Sequence, residues 1–268
     1  MWAAFAALRN SHHPKFSIIK VFWMNPKQPL GRWAKLIDQL VVTSSQDKIV
    51  ESLRQPSEPT VLAFLNAHAA NLAWSQPQFS EDLAAADVLL RDGIGIKILL
   101  MLLGREPGAN LNGTDFIPTL LASLQKVSRV AVYGTKEPYL SRAGRQIESL
   151  GPTVVDMADG FQNADFYCLR VQQTVPDVVL LAMGMPRQER IARRIKESTS
   201  LPVLIINGGA IVDFLGGGVR RAPQWIILAG MEWFFRLLQE PRRLWKRYVI
   251  GNFLFLWRAV LYRALHCK

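Results

Sequence analysis

Six short apolar runs punctuate the chain, at residues 61–66, 87–90, 129–134, 153–156, 177–182 and 202–206, and turn-forming Gly, Pro, Asp or Asn residues bound them. Unbroken apolarity over four to six residues suits a strand covered on both faces, as in a parallel sheet. Between the runs, residues 93–103, 114–126, 137–150, 163–174 and 187–198 carry apolar positions at helical spacing. Strand and helix alternate, which predicts an α/β fold: a Rossmann-like, mostly parallel sheet with flanking helices. Residues 1–45, with Pro14, Pro26 and Pro29, read as a loosely organised extension. Residues 46–218 form the α/β domain, and residues 219–268 a C-terminal basic amphipathic helical appendage.

In such sheets ligands sit beyond the carboxyl ends of the strands, where helix N-termini favour anions. Four loops at that edge carry polar or glycine residues: Asn66-Ala67-His68, Arg91-Asp92-Gly93-Ile94-Gly95, Met183-Gly184-Met185-Pro186-Arg187-Gln188-Glu189, and Asn207-Gly208-Gly209-Ala210 with Asp213. Taken singly, each loop is equally explained by strand termination and helix capping; four together indicate a site. Asp92 has a second reading as the cap of the helix from residue 93, and Thr114 and Asp115 read first as an N-cap pair. Gln188 or Glu189 offers hydrogen bonds to sugar or ribose hydroxyls. Gly208 and Gly209 bring backbone amides near a nucleotide, and Asp213 is placed to contact uracil or ribose. The glycine fingerprints of dinucleotide and P-loop sites are absent, which weakens a nucleotide-dependent oxidoreductase.

Charge changes the picture at the C-terminus. The chain is formally +11, and residues 215–268 hold ten Lys or Arg against Glu232 and Glu240, a net of +8, together with four of the eight tryptophans. A basic aromatic tail fits an anionic membrane surface, a diphosphate or nucleic acid. The nearly neutral remainder and the lack of a reader motif argue against nucleic acid. The uncharged stretches of the tail are too short to span a bilayer, which suggests peripheral attachment, and the same apolar surface would suit a homo-oligomer. With only Cys168 and Cys267, no disulfide framework exists. No Asp-x-Asp pair occurs, so no metal site or cofactor is expected and cationic side chains must neutralise any diphosphate. Arg236, Arg243 and Arg247, seven and four residues apart, would share one face of a helix over residues 232–248, with Pro241 opening a new turn. Pairing with Glu232 and Glu240 is their plainer alternative.

In order, Leu65-Asn66-Ala67-His68, Ala86-Asp87 with Arg91-Asp92-Gly93-Ile94-Gly95, Asn112-Gly113-Thr114-Asp115, the Met183 to Glu189 and Asn207 to Asp213 loops, Arg220-Arg221-Ala222-Pro223-Gln224-Trp225, and Gly230-Met231-Glu232-Trp233 through Arg247-Tyr248 resemble the WecG/TagA/CpsF glycosyltransferases, glycosyltransferase family 26. The resemblance covers roughly residues 60–252. It implies an inverting, metal-independent transfer of a hexose-type sugar from a UDP-sugar to a polyprenyl-diphosphate-linked saccharide at the cytoplasmic membrane face, in surface or exopolysaccharide synthesis. It makes Asp92 the catalytic base and Asn66 an acceptor or sugar contact. It also closes the arginine stripe over the site as the diphosphate ligand. Gly93 and Gly184 join the substrate-binding set, and so does His68 as a partner for a sugar hydroxyl, with a plain satisfied polar residue as its alternative reading. One branch carries a threonine two positions before the asparagine; here Phe64 stands there, and no role of that threonine transfers. A non-catalytic anionic-lipid-binding module is the competing reading.

Overall fold

The computed structural model describes residues 27–266. In chain order the first half comprises α1 (Lys27–Gln39), β1 (Leu40–Val41), α2 (Gln46–Leu53), β2 (Thr60–Leu65), α3 (Ala67–Ser75), α4 (Pro77–Ala84), β3 (Val88–Arg91), α5 (Ile94–Leu102) and α6 (Gly113–Ser123). Then follow β4 (Arg129–Gly134), α7 (Tyr139–Ser149), β5 (Thr153–Ala158), α8 (Ala164–Thr174), β6 (Val178–Ala182), α9 (Arg187–Ser198), β7 (Leu204–Asn207) and α10 (Ile211–Leu215). The strands form one seven-stranded sheet in the order β1-β3-β2-β7-β6-β4-β5, and every pairing is parallel.

Strand periodicity explains the doubly covered sheet. Val61, Ala63 and Leu65 of β2 enter one apolar cluster and Leu62 and Phe64 the other, so alternate side chains serve opposite faces. Three helices begin on asparagines whose side chains accept an amide hydrogen bond three residues on: Asn66 before α3, Asn112 before α6 and Asn163 before α8.

The segments on either side of residues 46–218 both pack onto the sheet domain. Residues 27–41 are not a loose extension. Trp33, Leu36 and Ile37 of α1 are at most 3% exposed, the Trp33 indole donates to the Ala70 carbonyl at 2.7 Å, and β1 extends the sheet beside β3. Apolar spacing on one face of α1 supplies the burial that the prolines concealed. The rest of the proposed extension, residues 1–26, lies outside the described residues.

The C-terminal helical appendage is present and packs back onto the body. After α11 (Gln224–Leu228), α12 (Glu232–Gln239) and α13 (Pro241–Trp245), a π turn over Lys246–Ile250 leads into α14 (Gly251–His266). Phe255, Ala259 and Tyr262 of α14 are buried in the same cluster as Trp33, whose ring centroid lies 5.6 Å from Phe255 and 5.8 Å from Tyr262. Arg258 is buried as well, donating to the Asn71 carbonyl and to Asn71 Oδ1. The tail is therefore anchored by α14 while its middle stays free to reach the strand ends. Among the described residues no helix is long and apolar enough to cross a membrane.

Candidate active site

The carboxyl ends of β2, β3, β4, β6 and β7 open into a cleft of about 770 Å³, roofed by Arg236, Glu240, Arg243 and Arg247 from the tail. That volume is in the range of small-molecule sites. Of the residues expected from the sequence, the cleft gathers Asn66, Asp92, Thr114, Gly184, Gln188, Asn207, Gly208, Asp213, Arg236, Arg243 and Arg247. His68, Gly93 and Asp115 stand outside its walls.

Register brings Asn66 and Asp92 together. Leu65 of β2 pairs with Arg91 of β3, so the residues that follow are neighbours. Asn66 Oδ1 accepts the Ala69 amide and caps α3, which turns its Nδ2 the other way, 3.1 Å from Asp92 Oδ2. Asp92 does not cap α5. That position belongs to Gly93, whose φ of +85° suits glycine and whose amide donates to Asn110 Oδ1 at 2.9 Å. Beneath, the buried Arg91 guanidinium donates only to the carbonyls of Pro107, Gly93 and Gly108. Burial pushes the Asp92 carboxyl above the usual range, opposed by the Asn66 hydrogen bond and by the charges of Arg247, Arg236 and Arg91. A carboxylate with raised basicity, facing a cleft, has the character of a general base.

The three tail arginines do not share one continuous helix. The chain breaks at Glu240 (φ −131°, ψ 59°), restarts with Pro241 in the first turn of α13, and Arg247 falls in the π turn. These interruptions point all three at one cleft, a use of π geometry common at functional sites. They are not equivalent. Arg243 is paired in bidentate fashion with Glu240, as the plainer alternative anticipated. Arg236 stacks on Phe214, 5.2 Å from the ring centroid, and Arg247 on Tyr248 at 5.5 Å. The buried Nε atoms of both lack a hydrogen-bond partner, and among the described residues neither has an ion-pair partner. Unpartnered buried guanidinium groups are costly unless an anion joins them.

At the β7 end the glycine amides are not offered to a ligand. Gly208 N–H donates to the Leu181 carbonyl at 2.7 Å and Gly209 N–H to Gln188 Oε1 at 3.0 Å. Gly208 is required by space, since a Cβ there would lie 2.5 Å from Ile211 Cγ2. What this wall presents is an acceptor: Asn207 is 3% exposed and its Oδ1 has no partner. Beside it, Asp213 Oδ1 accepts from the Thr135 hydroxyl. Glu189 contributes nothing to the wall, being 1% exposed behind Gln188.

Asn112, not Thr114 or Asp115, caps α6, and Asp115 pairs with Arg221, tying tail to body. Thr114 lines the cleft. Burial and the Arg247 charge lower the His68 pKa to about 4, so that side chain is a neutral group behind the site. The sequence reading missed Thr135 and Lys136, which line the cleft after β4. The signal was the strand-end rule itself, applied to four loops and not to the Gly134-Thr135-Lys136 turn, where Thr135 takes a φ of +48°. Phe64 also forms wall, packed at 6.4 Å on Phe116 and against Gly113.

Residues 33–267 match the Glycosyl transferase WecG/TagA/CpsF family. Among curated proteins the chain is similar to the N-acetylglucosaminyldiphosphoundecaprenol N-acetyl-beta-D-mannosaminyltransferase of Bacillus subtilis (strain 168), 29% identical over 191 residues that cover 70% of this chain and 74% of that enzyme. It is likewise 29% identical to the Bacillus spizizenii protein of the same name, over 179 residues covering 65% and 69%. The family match runs from the middle of α1 to the far end of the tail, so sheet, cleft and arginine roof all fall within it, and the chain belongs to the WecG/TagA/CpsF family of glycosyl transferases.

Proposed function

We propose that this glycosyl transferase moves a hexose-type sugar, with inversion, from a UDP-sugar to a saccharide carried on a polyprenyl diphosphate. Asp92 takes the proton of the acceptor hydroxyl. The freed oxygen attacks the anomeric carbon from the face opposite the diphosphate, the bond from that carbon to the diphosphate oxygen breaks, and UDP leaves with the electron pair. Arg236 and Arg247 bind the diphosphate and stabilise its growing charge. Asn207 and Asp213 accept hydrogen bonds from the nucleoside, whose uracil N–H and ribose hydroxyls are donors. The side chain of Arg243 joins the diphosphate site by exchanging Glu240 for the ligand.

The observation that carries this reading is the polarity of the cleft: hydrogen-bond acceptors at the β7 end, two roof arginines without an ion-pair partner among the described residues, and a buried, basic carboxylate at the ends of strands β2 and β3. The acceptor named for the Bacillus relatives is a sugar on diphosphoundecaprenol, which supports a polyprenyl-linked acceptor. Phe64 forms wall beside Asn66 and so bears on which donor sugar or acceptor the cleft admits. The roof needs no divalent ion, because its guanidinium groups supply the positive charge.

The same proposal has the protein attached to an anionic membrane surface at its cytoplasmic face, and exposed apolar side chains support it. Ile94, Ile98 and Met101 of α5 and Phe253, Leu256 and Val260 of α14 are exposed, with Arg242, Lys246 and Arg263 in the same tail segment. Such a surface lies on lipid, with basic residues at the headgroups. Incubating the protein with a panel of UDP-sugars and a synthetic lipid-diphosphate saccharide, followed by mass spectrometry, tests the reading. Growth of the acceptor by one sugar supports it, and absence of product with every donor would remove it.

A further inference from the structure

Glu189 sits one residue into α9 from Gln188, at 1% exposure, and its Oε1 accepts a hydrogen bond from Gln188 Nε2 at 2.9 Å. Its Oε2 has no partner. The charged group beside it is Asp82 of α4, itself paired with Arg193, and among the described residues no cation pairs with Glu189. Burial pushes its carboxyl up to about 7, and Asp82 adds to the rise. A buried carboxyl without a counter-charge is destabilising, and an apolar side chain of similar size would fill the space at less cost.

The geometry supplies the reason for keeping it. An amide side chain has one acceptor and one donor end, and nothing intrinsic decides which way it points. Because the Glu189 carboxyl accepts, Gln188 must turn its Nε2 inward and its Oε1 outward, where it holds the Gly209 amide at 3.0 Å. Gly209, with φ of +62°, has open space where a side chain would be, so its bare backbone borders the cleft next to Asn207. Carboxyl, amide and loop form a relay reaching the wall from the body of the protein.

We propose that Glu189 is a positioning residue for the donor nucleotide: it orients Gln188, which pins Gly209 and holds the Asn207 acceptor in place. This rests on the UDP-sugar reading of the cleft. Glu189 touches no substrate and acts only through the relay.

Two variants separate positioning from packing. Glu189→Met matches the volume but cannot accept a hydrogen bond, whereas Glu189→Gln keeps an acceptor oxygen without the charge. The proposal expects Glu189→Met to melt at or above the wild-type temperature, yet to raise KM for the UDP-sugar and Kd for UDP about fivefold, the scale of one lost hydrogen bond, with kcat within twofold. Amide exchange at residues 208–211 of the ligand-free protein should accelerate. Glu189→Gln should restore KM and exchange to within twofold of wild type. Wild-type KM and exchange in Glu189→Met would overturn the proposal, as would a loss in Glu189→Gln equal to that in Glu189→Met. If Glu189→Met changes exchange but wild-type protein binds no UDP, the relay stands and the donor reading falls.

Discussion

Asn66 Nδ2 lies 3.1 Å from Asp92 Oδ2, and the same side chain caps α3 through its Oδ1, so one residue starts a helix and steadies the carboxylate of the neighbouring strand end. Its hydrogen bond stabilises the ionised form of Asp92 against burial. In Asn66→Ala the acid limb of the kcat/KM profile should therefore move to higher pH, and the lost cap should cost about 1 kcal/mol of stability. A pH series on purified enzyme and a thermal melt check both effects.

Arg236 and Arg247 act on two groups at once. Each draws down the Asp92 pKa, and each has a buried Nε without a hydrogen-bond partner among the described residues. Arg236→Ala and Arg247→Ala should weaken UDP binding at least about tenfold, as expected for a charge-assisted contact, with a smaller dependence on salt. Arg243→Ala should lose less, because Arg243 must first leave Glu240. Calorimetry with UDP across ionic strengths measures the ordering.

Glu189 also leaves a mark on stability. Its pKa rises from 4.5 to about 7 on folding, so the native state holds its proton more tightly, and the associated stability is full below pH 4.5 and lost as pH rises through 7. A shift of that size corresponds to as much as about 3 kcal/mol. His68 acts in the opposite sense: its pKa falls from 6.5 to about 4, so its contribution is present above 6.5 and lost toward pH 4. The two contributions slope in opposite directions between pH 4.5 and 6.5. The melting temperature of Glu189→Gln should gain on wild type between pH 5 and 8.

With arginines as the only cations proposed at the diphosphate, transfer should persist within about twofold after dialysis against a chelator. Added magnesium or manganese should not raise it. An assay of treated protein, with and without each ion, checks this.

Much of the architecture was legible because buried parallel strands announce themselves. The run at 129–134 coincides with β4, and alternate residues such as Leu62 and Ala63 serve opposite faces. What hid was determined by contacts distant in sequence. Strand β1 is two residues long and defined by its pairing with β3, and α1 owes its order to Trp33 meeting Phe255 and Tyr262, more than two hundred residues on. In the cleft, Asp92 and Asn66 could be named from their strand-end positions, but not their bond, which follows from register. The glycine amides of residues 208 and 209 looked available only because their acceptors, Leu181 and Gln188, lie on another strand and helix. The break at Glu240 and the π turn at Arg247 likewise depend on packing, since a plain helical count already set the arginines on one side.

Asp92→Asn isolates removal of the acceptor proton by Asp92, because the amide keeps the size and a hydrogen bond to Asn66 but cannot take a proton. The decisive quantity is the single-turnover rate of sugar transfer from UDP-sugar to the lipid-diphosphate acceptor, measured for wild type and Asp92→Asn with UDP affinity and melting temperature in parallel. With Asp92 as the base, the rate should fall about a thousandfold with affinity and melting temperature nearly unchanged. Transfer by Asp92→Asn at the wild-type rate would contradict it.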